Sequence, residues 1–404
     1  MSSITHGNLV IGQSGGATAV INASLVGAVE AALTSEHVEG IFGMRYGIEG
    51  FLREDLIDLR QQPSDIWPRL LHTPSAALGT CRYKLKDGDL ERAVEILRRY
   101  NIRYMAYIGG NDSADTAHRL VQAAQRANYE INIISVPKTI DNDLPYTDHC
   151  PGYGSAARFI AWATVDSTMN TISIPSHYPV KVIETMGRDT GWLAASSALG
   201  KYTEADPPHI ILVPERPFNA ERFLTQVEAV YRQLGYVVVV VAEAMRDEQG
   251  QPLGAIGQVG VDAFHHPLLS GAAQYLVNLV IKQLGVRARF DKPGDLQRMA
   301  SNSISPVDRD EAYLVGQVGV QALLKGESDK MVTLIRQTDS VYHNSTGLVE
   351  LAKVANVVRF MPDEFLDASK TMVTQAFKDY AQPLIGGPVP QYRTLEQAKV
   401  RSIK

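Results

Sequence analysis

Cysteine is nearly absent: the 404 residues hold only Cys81 and Cys150. Two cysteines make no disulfide framework and lack the paired spacing of a zinc site, so they suit a reducing cytosol. Net basic charge is missing as well. Lys and Arg number 39 against 44 Asp and Glu, for a formal charge of −5, and the cations are dispersed. Such a chain has no electrostatic field for wrapping nucleic acid. There is no long apolar run either. The longest, Tyr236 to Ala242, is too short to span a bilayer, and Met1 to Gly7 has no cationic stretch leading into an apolar one. Neither export nor membrane insertion is expected, and the chain is read as cytoplasmic. Internal repeats and low-complexity tracts are also lacking.

What is present is an alternation of short apolar runs and helical patterns, the signature of a parallel sheet covered by helices. The length exceeds one ordinary core and predicts two domains of roughly 150–200 residues each. Asn8 to Gly12, Tyr104 to Ile108 and Ile131 to Val136 read as strands. So do Val180 to Met186, His209 to Val213 and Tyr236 to Ala242, the last one fully buried. Helical spacing runs from Ala17 to Leu33, from an Asp89 N-cap through Leu97, from Asn219 to Leu234 and from Pro306 to Lys325. Arg246 to Val261, rich in Gly, Gln and Pro, reads as an exposed loop, and the last sixty residues follow no single pattern.

The polar loops carry the chemistry. Gly109-Gly110-Asn111-Asp112-Ser113 follows a strand, and a helix is expected to begin at Ser113. A glycine pair there lets backbone N–H groups approach a phosphate closely. Pro137-Lys138-Thr139-Ile140-Asp141-Asn142-Asp143 packs a lysine and two aspartates into seven residues, more charge than a plain connection needs. Ser14-Gly15-Gly16 forms a further turn after the first strand. Each of these loops follows a strand's C-terminal end, the edge where open α/β sheets bind ligands. By themselves the two aspartates are equally compatible with Asx turns, and Arg82 with a solvated surface position.

These segments, with Gly79-Thr80-Cys81-Arg82, Met186-Gly187-Arg188, Pro214-Glu215 and Leu296-Gln297-Arg298, occur in an order that resembles the phosphofructokinase family. The resemblance runs from about residue 8 to about residue 325. It implies two similar Rossmann-like α/β domains with the active site in the cleft between them. Residues 1–150 plus about 301–404 would form the phosphoryl-donor domain, and residues 151–300 the sugar-phosphate domain. It also implies phosphorylation of fructose 6-phosphate at its C1 hydroxyl, Mg2+ as cofactor, and a homodimer or homotetramer with a site completed across an interface. Asp141 would be the general base, Lys138 and Arg188 its catalytic partners. Thr139, Asp143, Met186, Gly187, Glu215, Arg289 and Arg298 would bind the sugar phosphate, with the two arginines on its 6-phosphate. Gly15, Gly16, Arg82, Gly110 and Lys138 would hold the donor, and Asp112 and Asn111 the metal.

Within the family, members that use ATP tend to have glycine where this chain has Asp112 and Lys138, so it resembles the pyrophosphate-using members. A carboxylate at Asp112 would occupy space and add like charge where a nucleotide's α-phosphate must pass. Lys138 would give the smaller donor a compact cation. Three positions depart from the family's pattern. Asn111 stands where an aspartate is usual, and a neutral amide is a weaker ligand for a hard cation. Asp295 replaces a histidine or aromatic beside the 6-phosphate, so either it turns away or the sugar site is altered. Pro179 replaces an arginine that a neighbouring subunit supplies, a role left to Lys181 or another residue. The rival readings are an ATP-dependent phosphofructokinase, a more distant kinase acting on NAD or a lipid, and a non-catalytic regulatory subunit. Asp112 and Lys138 oppose the first, Met186-Gly187-Arg188 and Leu296-Gln297-Arg298 the second, and Asp141, Lys138 and Arg188 the third.

Overall fold

A computed structural model describes residues 6–254, 271–337, 341–369 and 371–395. Eleven strands among them form two sheets. The larger contains β1 (Gly7–Gln13), β2 (Val38–Met44), β3 (Leu56–Asp58), β4 (Ile102–Gly109), β5 (Asn132–Pro137), β10 (Lys330–Arg336) and β11 (Asn344–Glu350). The smaller contains β6 (Val180–Thr185), β7 (Ile210–Leu212), β8 (Val237–Ala242) and β9 (Ala288–Asp291).

The larger sheet has the order β11-β10-β5-β4-β1-β2-β3. Its interior pairs are parallel, while β3 and β11 close the two edges antiparallel to their neighbours. The chain winds from β1 to β2 in one direction and from β4 to β5 in the other, which opens a crevice above the C-terminal ends of β1 and β4. The smaller sheet, β7-β8-β6-β9, is parallel throughout. Val237 to Ala242 is buried along its whole length. A strand covered on both faces needs no polar alternation, which is why it reads as an unbroken valine run.

Apolar clusters cover both faces of both sheets, so each sheet has its own core. On the larger one, helix Pro306–Leu324 lies against helix Ile21–Leu33. Their backbones come so close that a Cβ on Gly27 would stand 2.1 Å from Tyr313 O, and one on Gly316 would stand 2.1 Å from Ser24 O. Only glycine allows that approach. Just beyond β11, Leu351 and Val354 still pack on the larger sheet, but the segment from Met361 onward packs elsewhere. Met361, Leu366, Val373, Phe377, Ala381, Leu384, Ile385 and Val389 join the cluster around Trp192, Ile211 and Val240 on the smaller sheet.

Several element ends differ from the sequence-based expectation. The first helix starts at Ile21, not Ala17, because Ser14 to Val20 carry the chain around the crevice. The helix after Gly110 starts at Asn111, two residues earlier than expected, so Asn111 and Asp112 lie in its first turn. Asp89 is the third residue of helix Asp87–Arg99, not its N-cap, and its Oδ2 accepts the Lys86 N–H at 2.8 Å. Asn219 does cap helix Ala220–Leu234, its Oδ1 accepting from Arg222 N at 2.9 Å. Arg246 and Pro252 pair across a tight turn, while 255–261 of the expected loop lie outside the described residues.

A buried charged chain ties the end of the aspartate loop to helix Pro306–Leu324 and to the β10–β11 hairpin. His149, 1% exposed, donates from Nδ1 to Asp148 Oδ2 at 2.8 Å and from Nε2 to Glu311 Oε2 at 2.6 Å. Tyr342 and Asn344 donate to the other Glu311 oxygen, and Arg336 forks onto Asp148 at 3.1 and 3.0 Å. Burial alone would push the His149 imidazole down, but the carboxylates of Glu311 and Asp148 on either side raise it to about 9. A raised cationic group contributes stability that is complete below its unfolded value of 6.5 and is lost as pH climbs through about 9. Thermal melts should therefore show the protein losing stability between pH 6.5 and 9. His149→Gln should lower stability at pH 6 by on the order of 3 kcal/mol and flatten that slope. An unchanged slope in the variant would mean that His149 is not charged in the fold.

Candidate active site

Three loops on the larger sheet meet above β1, β4 and β5. Gly15 adopts φ +74°, turning the chain sharply after β1. Lys138 donates from Nζ to Gly16 O at 2.9 Å, and its backbone N–H reaches Gly109 O at 3.1 Å. A Cβ on Gly15 would be 3.4 Å from Lys138 Nζ, and one on Gly16 would be 2.5 Å from Arg298 Nη1. Two cations thus crowd a turn that has no side chains of its own, an arrangement suited to phosphate oxygens. Buried Gln13 and Asn22 lock the neighbouring loop, accepting the N–H of Leu78 and of Ala77, both at 2.9 Å. Gly15 N–H to Cys81 O at 3.3 Å then docks that loop on the turn and leaves Arg82 exposed at its rim.

The aspartate loop is tightly braced. Thr139 Oγ1 accepts Asp141 N–H at 3.1 Å, and Asn142 takes φ +56° to turn the chain. Arg188 faces two carboxylates at once, 3.8 Å from Asp112 Oδ2 and 3.8 Å from Asp141 Oδ2. Asp141 is 14% exposed. Burial and the neighbouring Asp143 push its carboxyl up to about 7, with Arg188 and Lys138 opposing them. Asp143 is raised too, chiefly by burial. Burial lowers the Lys138 ammonium to about 8 against the pull of Asp141, with Arg188 and Arg298 pressing the same way as burial. A buried carboxyl and a buried amine are thus displaced towards neutrality from opposite sides.

The smaller sheet supplies the opposite wall. After β6, Gly187 and Arg188 take φ +145° and +48°, a backbone state that a bulky residue adopts only when its surroundings enforce it. Gln297 enforces it from one side, its Oε1 accepting Met186 N–H at 3.0 Å. Thr190 Oγ1 lies 3.0 Å from Gly187 O and 3.1 Å from Asp141 O, tying the two walls together. Glu243, directly after β8, accepts the backbone N–H groups of Gly187 and Arg188, and burial raises its carboxyl beside Asp141.

Gly15, Gly16, Gly110, Asn111, Asp112, Lys138, Thr139, Asp141, Asp143, Gly187 and Arg188 therefore gather at one crevice, with Arg82 at its edge, while the Met186 side chain packs against the core of the smaller sheet. The remaining expected residues stand differently. Glu215 Oε1 accepts the N–H of Gly191 and of Met361, both at 3.0 Å, so it braces the wall, and its Oε2 is buried against Gly191. Arg298 belongs to both walls: it lies against Gly16 and is held by Asp295 Oδ1 at 2.7 Å. Asp295 thus turns towards Arg298. Arg289 pairs in register with Lys181, four positions before the end of β6, or about 13 Å along the strand. Within this chain it stands apart from the cluster, stacked over Tyr178 with Nε and Nη2 buried and unpartnered. Lys181 is buried and paired to Asp291 at 2.6 Å.

Sequence reasoning passed over Gln13, Asn22, Thr190 and Glu243, and it gave Gln297 no role beyond its place in the Leu296-Gln297-Arg298 motif. Glu243 had a usable signal, its place at the C-terminal end of the valine strand. The bracing residues had none, because their partners are backbone groups remote in sequence. Asn111 donates from Nδ2 to Asp143 Oδ2 at 3.3 Å, which leaves its Oδ1 buried without a hydrogen-bond partner. An orphaned amide oxygen next to Asp112 suits a hard cation. Among the described residues no three His, Cys, Asp or Glu side chains form a metal cage. A magnesium ion usually needs only one or two protein ligands when substrate phosphates complete its shell.

Residues 8–323 match the phosphofructokinase family. A pyrophosphate–fructose 6-phosphate 1-phosphotransferase of Halomonas elongata is 40% identical over 387 residues, covering 94% of this chain and 92% of its own. A sulfofructose kinase of Alkalicoccus urumqiensis is 30% identical over 398 residues, covering 98% and 99%. The crystal structure of a pyrophosphate-dependent phosphofructokinase from Marinobacter aquaeolei superposes with a TM-score of 0.86 at 37% identity, over 98% of this chain and 99% of that one. With two similar α/β halves, the glycine turns and the aspartate loop facing one crevice, this chain belongs to the phosphofructokinase family.

Proposed function

We propose that the protein transfers a phosphoryl group from pyrophosphate to the C1 hydroxyl of fructose 6-phosphate, yielding fructose 1,6-bisphosphate and orthophosphate. The observation that carries this reading is the placement of Lys138: its ammonium fills the turn at Gly15 and Gly16 beside Arg298, while Asp112 stands on the next loop facing Arg188. The pocket so formed has cations for a small, highly charged donor and an added carboxylate where a nucleotide would extend. The Halomonas relative, closer in sequence than the Alkalicoccus one, sets fructose 6-phosphate as the acceptor.

In this mechanism Asp141 takes the proton of the C1 hydroxyl as its oxygen attacks the terminal phosphorus, and the anhydride bond to the leaving phosphate breaks. Arg188 and Lys138 face the oxygens that gain charge. Asn111 Oδ1 and Asp112 would hold magnesium, which when bound neutralises donor phosphate charge. Arg298 meets the sugar phosphate from the rim. The anhydride and the product ester differ little in transfer potential, so the reaction runs in both directions. The body of the larger sheet binds the donor and that of the smaller sheet the sugar phosphate, with the tail past β11 counted with the second. Arg289 reaches a sugar phosphate only in a neighbouring subunit, in keeping with a homodimer or homotetramer. The reading places the enzyme in the cytoplasm, and among the described residues no helix is long and apolar enough to cross a membrane.

Two outcomes test it. Asp141→Ser should lower kcat by about 10²–10⁴ with little change in KM. The raised carboxyl of Asp141 contributes stability that is full below about pH 4 and lost as pH rises through about 7. The same variant should therefore melt higher than wild type at pH 8 and gain nothing at pH 4. A variant that keeps more than about half of wild-type kcat removes Asp141 from the base role.

Asp112→Gly should open the donor pocket and bring measurable activity with ATP, whereas Lys138→Gly alone should mainly damage the pyrophosphate reaction. The double variant should show the larger relative shift towards ATP. A double variant that uses pyrophosphate as well as wild type does would show these two positions to be misassigned.

A further inference from the structure

The tail segment Arg359-Phe360-Met361 lies beyond the residues 8–323 matched to the family, yet it touches both walls of the crevice. The Arg359 guanidinium sits inside the curve of the aspartate loop. It donates from Nε and Nη2 to Asn142 O at 3.1 and 2.7 Å, and from Nη1 to Thr147 O at 2.6 Å and Asp148 O at 2.5 Å. Its backbone N–H reaches Asp143 O at 2.8 Å. One side chain therefore collects three carbonyls of the loop, and its main chain takes a fourth. On the other wall, Trp192 donates from Nε1 to Arg359 O at 3.3 Å and lies under the guanidinium at 4.8 Å. Met361 N–H and Gly191 N–H share Glu215 Oε1.

Inward-turned carbonyls are common where a loop wraps a metal ion, and here a planar cation with five fixed donors takes that place. The loop between Asp141 and Asp148 has few backbone hydrogen bonds of its own, and Asn142 and Tyr146 both hold positive φ angles that need outside support. We propose that Arg359 is a positioning residue that fixes the aspartate loop in its reactive shape and couples it to the Gly187–Trp192 wall, without touching either substrate.

This inference rests on the proposed reaction for its kinetic readout, so the test includes one measurement that does not. Arg359→Lys and Arg359→Ala are made in the full chain. Both should lose on the order of 10²-fold in kcat, the usual consequence of a catalytic group displaced by about an ångström. KM for pyrophosphate and for fructose 6-phosphate should stay within about threefold, because Arg359 binds neither. Free guanidinium should restore part of the Ala variant's kcat and nothing in wild type. Hydrogen exchange of the amides in 139–148, measured without substrates, should quicken in both variants while exchange in β1 and β4 is unchanged. Folded variants with wild-type kcat, a loss confined to KM, unchanged exchange in the loop, or two variants that fail to fold would each overturn the positioning role. Failure of wild type to use pyrophosphate would sink the proposed reaction but leave the exchange result standing.

Discussion

The crevice depends on keeping Asp141 and Asp143 close together away from water. Two carboxylates two residues apart in a buried loop cannot both be ionised unless cations are supplied. Lys138 comes from the same loop, Arg188 from the facing wall, and Arg359 from the tail. Each arrives on a different element, and each is held by a hydrogen bond or a carboxylate of its own. The two sheets must therefore face each other at one fixed setting for the charges to balance. Thr190 sets it by a direct bond to Asp141 O across the crevice, and Glu215 stiffens the smaller sheet's side by tying Gly191 to Met361.

The same balance explains the chemistry. In the proposed reaction a carboxyl raised to about 7 suits Asp141 to take a proton near neutrality, where an ordinary aspartate would be too weak a base, while burial lowers the Lys138 ammonium to about 8. That readiness costs stability, since an ionised Asp141 is worse placed in the fold than in water. His149, past the far end of the aspartate loop, works in the opposite sense. It is charged, fully partnered by Asp148 and Glu311, and anchors the end of the loop that Asp141 begins. Strain at Arg188 and Asn142 is supported from the same surroundings.

Much of this was legible in the sequence, for a physical reason. Strands buried on both faces leave unbroken apolar runs, and a glycine pair at a strand's end marks a turn, so Tyr104 to Gly110 and the valine strand declare themselves. The aspartate loop stood out by its charge density, but only the family resemblance separated it from a pair of Asx turns. The bracing was not legible. Gln297, Thr190 and Arg359 act on backbone atoms up to 217 positions away, and nothing in a backbone carbonyl marks its sequence for a partner. Glu215 and Arg289 have residue types that suit a sugar phosphate; within this chain Glu215 Oε1 accepts the N–H groups of Gly191 and Met361 while its Oε2 has no partner, and Arg289 stands back along its strand, apart from the crevice. The tail followed no clear period because its described part strings a strand end, single 3-10 turns and one seven-residue helix across both sheets.

The central claim is that Lys138 and Asp112 shape the pocket for pyrophosphate. It is tested most directly by a coupled assay of the unmodified protein with fructose 6-phosphate and magnesium, giving pyrophosphate and ATP at equal concentrations in parallel. The account predicts fructose 1,6-bisphosphate from pyrophosphate and none above background from ATP. Comparable rates with both donors, or product from ATP alone, would contradict it.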